Sequence, residues 1–309
     1  MRKMLPCLLV VIILLTLYIP FYGCGSTPSF DAAKLVANTI AAMEAARSYS
    51  LNTTLTDNFT AIRDDKTVQM SDSYWWKGQR QVNIADQTMH MNMDIQVANG
   101  THPITYTLNS FYFNDWYYTQ GKSSAGSGSI PWVKTRPDKG LRVSWSGLSQ
   151  MAPQLALLKG SSVNGTVKTG KFNGTEYFVL DLMPSSDTAA DWIIMQNQII
   201  GPAIAWHLSS PMESRDMYLR TFKSGSARFY ITPDNYQIIK VSIHLLFDDE
   251  HLQSPYDFLG PPAAENGTDK RSDLTHVIND FKGEWKFSSY NQPVNIQLPQ
   301  EALDAKENP

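Results

Sequence analysis

The chain contains very little cysteine. Its 309 residues include two, Cys7 and Cys24, and both lie close to the N-terminus. The rest of the chain therefore has no cysteine pair for an internal disulfide and no thiolate for a metal site.

Runs of basic residues are also absent from the sequence. The formal net charge is −3 at pH 7, and Lys and Arg do not cluster in any stretch. Proteins that bind nucleic acid usually carry a basic patch that contacts the phosphates. The sequence therefore predicts no nucleic-acid partner.

Motifs for catalysis and for metal binding are missing as well. The six histidines are scattered, with no His-x-x-x-His or His-Glu-x-x-His spacing. The chain has neither a Gly-x-Ser-x-Gly elbow nor a Gly-rich phosphate loop. The acidic cluster Asp248–His251 is interpreted as the solvated end of a strand, with a cation site as the alternative. We therefore expect a protein that is not an enzyme and has no metal and no cofactor.

The N-terminus has the layout of a secretory signal. Arg2 and Lys3 precede an apolar stretch, Leu5–Ile19, and the small residue Gly23 stands directly before Cys24. Residues 21–24 resemble a bacterial lipobox, in which the signal is cut before a cysteine that carries lipid on its sulfur.

This layout predicts a signal peptide at 1–23 and a lipidated tether at 24–29. Acylated Cys24 would anchor the protein to the membrane, because two or more acyl chains bind firmly. The body would then lie in the cell envelope, on the outer face of the cytoplasmic membrane or in the periplasm. The alternative is an uncleaved anchor at Met4–Tyr22, which is just long enough to span a bilayer.

The clearest secondary-structure pattern is a long strand at Thr88–Ala98. Apolar and polar residues alternate strictly along it, as on a strand with one dry face and one wet face. The dry side carries Met89, Met91, Met93, Ile95 and Val97. Methionine is common on surfaces that accept varied apolar partners. The dry face is therefore either ordinary core or the lining of a site for an apolar ligand.

The remaining chain reads as helices and antiparallel strands in one domain, 30–300, with a polar tail at 301–309. Helices are predicted at Phe30–Ser48, Pro153–Lys159 and Asp187–Ile200. Strands are predicted at 49–56, 67–76, 79–85, 104–108, 132–135, 166–170, 175–182, 216–222, 227–232, 237–247 and 276–290, and a hairpin of two strands is predicted at 110–119. Lys77-Gly78 and Asn114-Asp115 are read as turns. Leu252–Asp273 is read as a long surface loop.

This order of elements resembles the carrier fold of LolA/LolB-type proteins and of LppX/LprG-type lipoproteins. The match is by pattern over most of 30–300. It includes the helix that ends in residues 45–50, the segment 114–118 followed by 132–134, the short helix followed by 173–177, and 290–299, which resembles a closing strand. The anchored N-terminus is closer to the lipoprotein branch than to LolA, which is a soluble carrier.

The resemblance implies an α+β fold, in which a large curved antiparallel sheet forms a half-barrel and helices plug its concave face. It also implies a cavity for acyl chains. The expected ligand-binding residues are Met89, Met91, Met93, Ile95, Val97, Tyr106 and Leu108 on strands, and Val36, Ile40 and Met43 on the first helix.

Two functions of different classes remain open from the sequence. In the first, the protein is a membrane-anchored lipoprotein that binds or carries lipid or another hydrophobic ligand. In the second, it is a non-enzymatic structural or protein-interaction module of the envelope whose core is filled by its own side chains. The identity of any protein partner is not encoded in a recognisable motif.

Overall fold

The computed structural model describes residues 30–63, 66, 68–99, 103–125, 128–136, 145, 149, 151–172, 174–204, 215–250 and 274–307. Residues Ala32–Pro309 form one compact unit. The signal segment, Cys24 and the loop Leu252–Asp273 lie outside the described residues, so the predictions made for them remain predictions.

Five helices and thirteen strands make up the described part of the chain. The helices are α1 (Ala32–Glu44), α2 (Met151–Gly160), α3 (Ser186–Ile204), α4 (Arg215–Thr221) and α5 (Gln300–Leu303). The strands are β1 (Ser48–Arg63), β2 (Val68–Asn83), β3 (Thr88–Asn99), β4 (Ile104–Phe113), β5 (Trp116–Ser123), β6 (Ser129–Thr135), β7 (Ser161–Val163), β8 (Lys168–Phe172), β9 (Thr175–Pro184), β10 (Phe222–Ile231), β11 (Ile238–Asp249), β12 (Leu274–Ser288) and β13 (Lys306–Glu307).

The strands form one large curved sheet that is not closed. Its order is β13-β6-β5-β4-β3-β2-β1-β12-β11-β10-β9-β7, and β8 also pairs with β9. Every described pairing is antiparallel except that of β13 with β6. The predicted fold class, an α+β half-barrel with helices on one face of a curved antiparallel sheet, is confirmed.

Helices α1 to α4 form a layer on one face of the sheet, which we call the inner face. Neighbouring helices pack in the order α1, α2, α3, α4, and this layer contacts β9, β10 and β11. The ring of Trp192 on α3 meets Phe281 and Trp285 of β12, with 5.3 Å between ring centroids in each pair. Apolar burial of this kind drives the layer onto the sheet.

The opposite face carries a smaller apolar cluster. Phe111 and Tyr118 are buried there beneath Ala302, and Ile296 and Leu298 pack beside them. The polypeptide after β12 therefore covers the outer face at the β4–β6 end of the sheet. Residues 289–299 are not a strand, so the closing strand that the resemblance implied at 290–299 is wrong; β12 ends at Ser288.

Several predicted element bounds are wrong for physical reasons. Lys77-Gly78 is not a turn, because β2 runs through it and pairs along its length with β1 and β3. The segment 216–222 is largely helix α4, whose buried residues Met217, Tyr218 and Thr221 follow helical spacing. Asn114-Asp115 does form a tight turn, and both residues have positive φ, as a two-residue hairpin requires.

None of the described helices combines the length and apolar character needed to span a bilayer. The apolar segment Met4–Tyr22 lies outside the described residues.

Candidate functional site

The inner face of the sheet is continuous from β9 to β5. Directly paired residues on neighbouring strands project to the same face, so the register identifies its members. One row across five strands contains Leu51, Arg80, Met91, Ser110 and Thr119. The adjacent row contains Tyr49, Val82, Met89, Tyr112 and Tyr117.

The residues predicted to bind a ligand lie mainly on this inner face. All seven from β3 and β4 share it by register and are buried: Met89, Met91, Met93, Ile95, Val97, Tyr106 and Leu108. On α1, Met43 is buried, whereas Val36 and Ile40 are half-buried. The buried stripe of this helix is Leu35, Thr39 and Met43. Contact of any of these residues with a ligand remains a prediction.

Part of the inner face is covered by the protein's own aromatic side chains. Trp192, Phe281 and Trp285 form one block under α3, and Tyr218 of α4 stacks edge-on against Phe247 at 5.0 Å. At the β1–β4 end, Trp145 lies 5.2 Å from the ring of Tyr112. Aromatic side chains therefore pack on the inner face at β4, β11 and β12.

Arg80 is a charged residue within this apolar face. Its side chain is 5% exposed, and its Nε donates a hydrogen bond to Sδ of Met91 at 2.9 Å. Its Nη1 is buried and has no hydrogen-bond partner in the described part of the protein. Burial lowers the pKa of Arg80 to about 10, so the guanidinium is still positively charged at neutral pH.

Several hydroxyl groups share the inner face with Arg80. Tyr49 and Tyr117 are near enough to act electrostatically on the guanidinium. The hydroxyl of Tyr49 donates to the backbone carbonyl of Ser149, whereas that of Tyr117 is buried without a partner among the described residues. Ser110 and Thr119 share a hydrogen bond of 2.5 Å in the same row as Arg80. No described Asp or Glu forms an ion pair with Arg80.

Asp57 is the corresponding acidic group of the inner face, farther along β1. It pairs in register with Phe281 and Tyr74. Burial, reinforced by the negative charge of Asp280 and opposed by a hydrogen bond from Asn279, raises the pKa of Asp57 to about 7. Six residues separate Asp57 from Leu51, the partner of Arg80, which corresponds to about 20 Å along a strand. The two charges are therefore too far apart to pair.

Other polar atoms are enclosed between the helices and the sheet. Oγ1 of Thr39, Oγ1 of Thr53, both amide atoms of Gln154 and Nε1 of Trp192 have no hydrogen-bond partner within the described residues. Buried polar groups are normally paired, and each unpaired one costs about 1–3 kcal/mol.

Arg80, Tyr117 and Asp57 were not among the residues expected from the sequence. The alternation of Tyr74, Trp76, Gly78, Arg80 and Val82 places Arg80 on the inner face. A turn predicted at Lys77-Gly78 divides this strand in two and hides the alternation. A strand continued through Gly78 would have identified a charged residue on the dry face.

The sequence-based expectations about metals and lipidation are not settled by the structure. Within the described residues, no group of three or more His, Cys, Asp and Glu side chains is placed to hold a metal ion. Cys24 lies outside those residues, so its acylation remains a prediction.

No protein-family model and no curated protein sequence matches the chain. Among solved structures, it is similar to the Mycobacterium tuberculosis lipoprotein LppX, with 12% identity and a TM-score of 0.36 over 86% of this chain and 100% of LppX. It is also similar to a DUF1329 family protein from Desulfovibrio piger, with 9% identity and a TM-score of 0.22 over 87% of this chain and 95% of that one.

The comparison thus returns the type of lipoprotein that the sequence pattern resembles. TM-scores below 0.5 carry no argument about a ligand or an activity. The half-barrel architecture itself is established by the pairing of the strands.

Proposed function

We propose that this protein is an extracytoplasmic lipoprotein that binds lipid or another apolar molecule between the helical layer and the inner face of the sheet. The observation that carries the proposal is the combination of apolar and unpaired polar groups on that face. The face is mainly apolar, and it also carries buried polar atoms that lack hydrogen-bond partners in the described protein.

The driving force would be the removal of apolar surface from water, about 25 cal/mol per Å². Flexible methionines suit such a site, because they adapt to chains of different shape. Since Met89, Met91 and Ile95 are fully buried, binding requires the cover over β1–β4 to move. That cover includes Trp145 and Ser149, which contact Tyr112 and Tyr49.

Analysis of the full-length protein by mass spectrometry tests this function. The protein would be purified from membranes and extracted with organic solvent, and an unrelated lipoprotein purified in the same way serves as the control. We expect an apolar molecule in near-equimolar amount with this protein alone. Equal traces of lipid on both proteins would contradict the proposal.

The second candidate is a structural or protein-interaction module of the envelope with a filled core. The aromatic block of Trp192, Phe281 and Trp285 favours it, because these side chains occupy the inner face themselves. Hydrogen exchange in the presence of a long-chain lipid separates the two functions. A filled core predicts unchanged exchange of β2–β4 amides, whereas binding predicts slower exchange.

We also propose that Cys24 is the first residue of the mature protein and carries the lipid anchor. Thioether acylation requires the sulfur, so Cys24→Ser should abolish metabolic labelling with a fatty acid and leave the precursor uncut. Cys7→Ser is the matched control and should label normally, because Cys7 lies in the removed segment. Unchanged labelling of Cys24→Ser would favour an uncleaved anchor at Met4–Tyr22.

A further inference from the structure

The position of Arg80 defines a narrower class of ligand than the apolar face alone. A buried, unpaired charge is costly, because the loss of hydration amounts to several kcal/mol. Folded proteins normally balance such a charge with a carboxylate. Within the described residues, Arg80 has a single hydrogen bond, from Nε to a thioether, and no acidic partner.

The free donors of Arg80 are accompanied by a second unpaired group. Nη1 of Arg80 and the hydroxyl of Tyr117 are both buried on the inner face, and neither has a hydrogen-bond partner in the described protein. Arg80 and Tyr117 project from the same inner face, Arg80 in one row and Tyr117 in the adjacent row. A guanidinium and a phenol together offer N–H and O–H donors to an oxyanion.

The surroundings of these donors are apolar. Leu51 and Met91 flank Arg80 in its own row, and Val82 and Met89 occupy the next row. A free inorganic anion would gain nothing from these side chains. An acid with a hydrocarbon tail would place its head group on Arg80 and its tail along Met93 and Ile95 of the same face.

We infer that the ligand is an acidic amphiphile, a long-chain carboxylate whose head group binds Arg80 and Tyr117. A carboxylate is favoured over a phosphate monoester because the site offers one positive charge. A carboxylate carries one negative charge, whereas a phosphate monoester carries about 1.5–2 at neutral pH. This inference rests on the proposed function and specifies its ligand.

Photolabelling of the full-length protein in membranes tests the inference. The probes are a photoactivatable C16 fatty acid and the corresponding C16 alcohol, which differ only in the head group. We expect the acid to label the wild type at least ten-fold more efficiently than the alcohol. Excess inorganic phosphate should not compete, which distinguishes an amphiphile from a free anion.

Substitutions of Arg80 and Tyr117, which form the proposed head-group site, provide the second test. Arg80→Met should reduce labelling by the acid about ten-fold and leave labelling by the alcohol unchanged, because the apolar surface is preserved. Arg136→Met is the matched control: Arg136 is exposed on the outer face and lies 4.6 Å above the ring of Trp116. Tyr117→Phe, which keeps the ring, should reduce labelling by the acid to a smaller extent.

The outcomes separate the failure of this inference from that of the proposed function. Equal labelling by acid and alcohol, unaffected by Arg80→Met, would overturn the head-group assignment and leave apolar binding intact. Absence of labelling by either probe would overturn both. If Arg80→Met fails to fold, Tyr117→Phe is the deciding variant, because the loss of one unpaired hydroxyl leaves the packing unchanged. Undiminished labelling of Tyr117→Phe by the acid would then contradict the inference.

Discussion

Two glycines on the inner face, Gly283 of β12 and Gly78 of β2, differ in the space above them. A Cβ at Gly283 would overlap the ring of Trp285, which is fully buried. A Cβ at Gly78 would meet its nearest atom, the carbonyl oxygen of Asn92, at 3.7 Å. The packing of Trp285 beneath α3 therefore requires glycine at position 283, whereas position 78 has room for a methyl group.

Gly283→Ala should consequently destabilise the protein by about 1–3 kcal/mol, the usual cost of overpacking a core. Gly78→Ala is the control and should be neutral or slightly stabilising, because alanine restricts the unfolded chain. Thermal unfolding of the two variants measures the difference. Equal melting temperatures would show that Trp285 has room to move.

Asp57 makes stability depend on pH. Its folded-state pKa of about 7 exceeds the ordinary value of 3.8, so the folded protein holds a proton that the unfolded chain releases. The stabilisation is complete below pH 3.8 and is lost as the pH rises to about 7. Because each pH unit in this window is worth about 1.4 kcal/mol, the loss is at most about 4 kcal/mol.

Asp57→Asn removes this titration and keeps an oxygen that accepts from Asn279. Denaturant unfolding at several pH values should show that the free energy of unfolding of the variant decreases less between pH 4.5 and pH 7.5 than that of the wild type. Parallel curves for the two proteins would show that Asp57 is not protonated in the folded state.

At the scale of elements, the segment after β12 acts as a cover for the outer face. Ala302 of α5 is fully buried on Phe111 and Tyr118, whereas the next residue, Leu303, is 48% exposed. This pair of neighbours offers a direct test of whether the cover contributes to stability.

Ala302→Glu should lower stability by about 1–3 kcal/mol, because it forces a carboxylate into an apolar contact. It should also make the C-terminal segment sensitive to limited proteolysis. Leu303→Glu should leave both properties unchanged, since its side chain faces water. If the two variants behave alike, the docking of α5 contributes little to the fold.

Elements with strong local patterns were predictable from the sequence. The alternation from Met89 to Val97 fixes β3, and Asn114-Asp115 fixes the turn between β4 and β5. Elements were not predictable where the pairing of strands overrides the local pattern. Gly78 indicates a turn when read alone, but β2 continues through it because it pairs with β1 on one side and with β3 on the other.

The candidate site was predictable only in its apolar part. Period-two alternation identifies Met91 and Ile95 without knowledge of neighbouring strands. The polar part depends on the register of strands that are distant in sequence: the pairing of β3 and β4 puts Arg80 and Tyr117 on the same face, and Asp57 pairs with Phe281 of β12. No local pattern in a single sequence encodes such pairings.

At the scale of the whole molecule, the sheet is open and its described edges are short. β13 adds two residues beside β6, and β7 adds three beside β9. Short edge strands limit pairing with other chains. The proposed function therefore assigns the ligand to the inner face of the sheet and not to its edges.

A photo-crosslinking amino acid placed at two neighbouring positions of β3 tests this claim most directly. Met93 lies on the inner face and is buried, whereas Asp94 lies on the outer face and is exposed. The full-length protein would be irradiated in cells, and adducts would be identified by mass spectrometry. The account predicts an adduct with an apolar molecule at position 93 and none at position 94. Adducts at neither position, or at both equally, would contradict it.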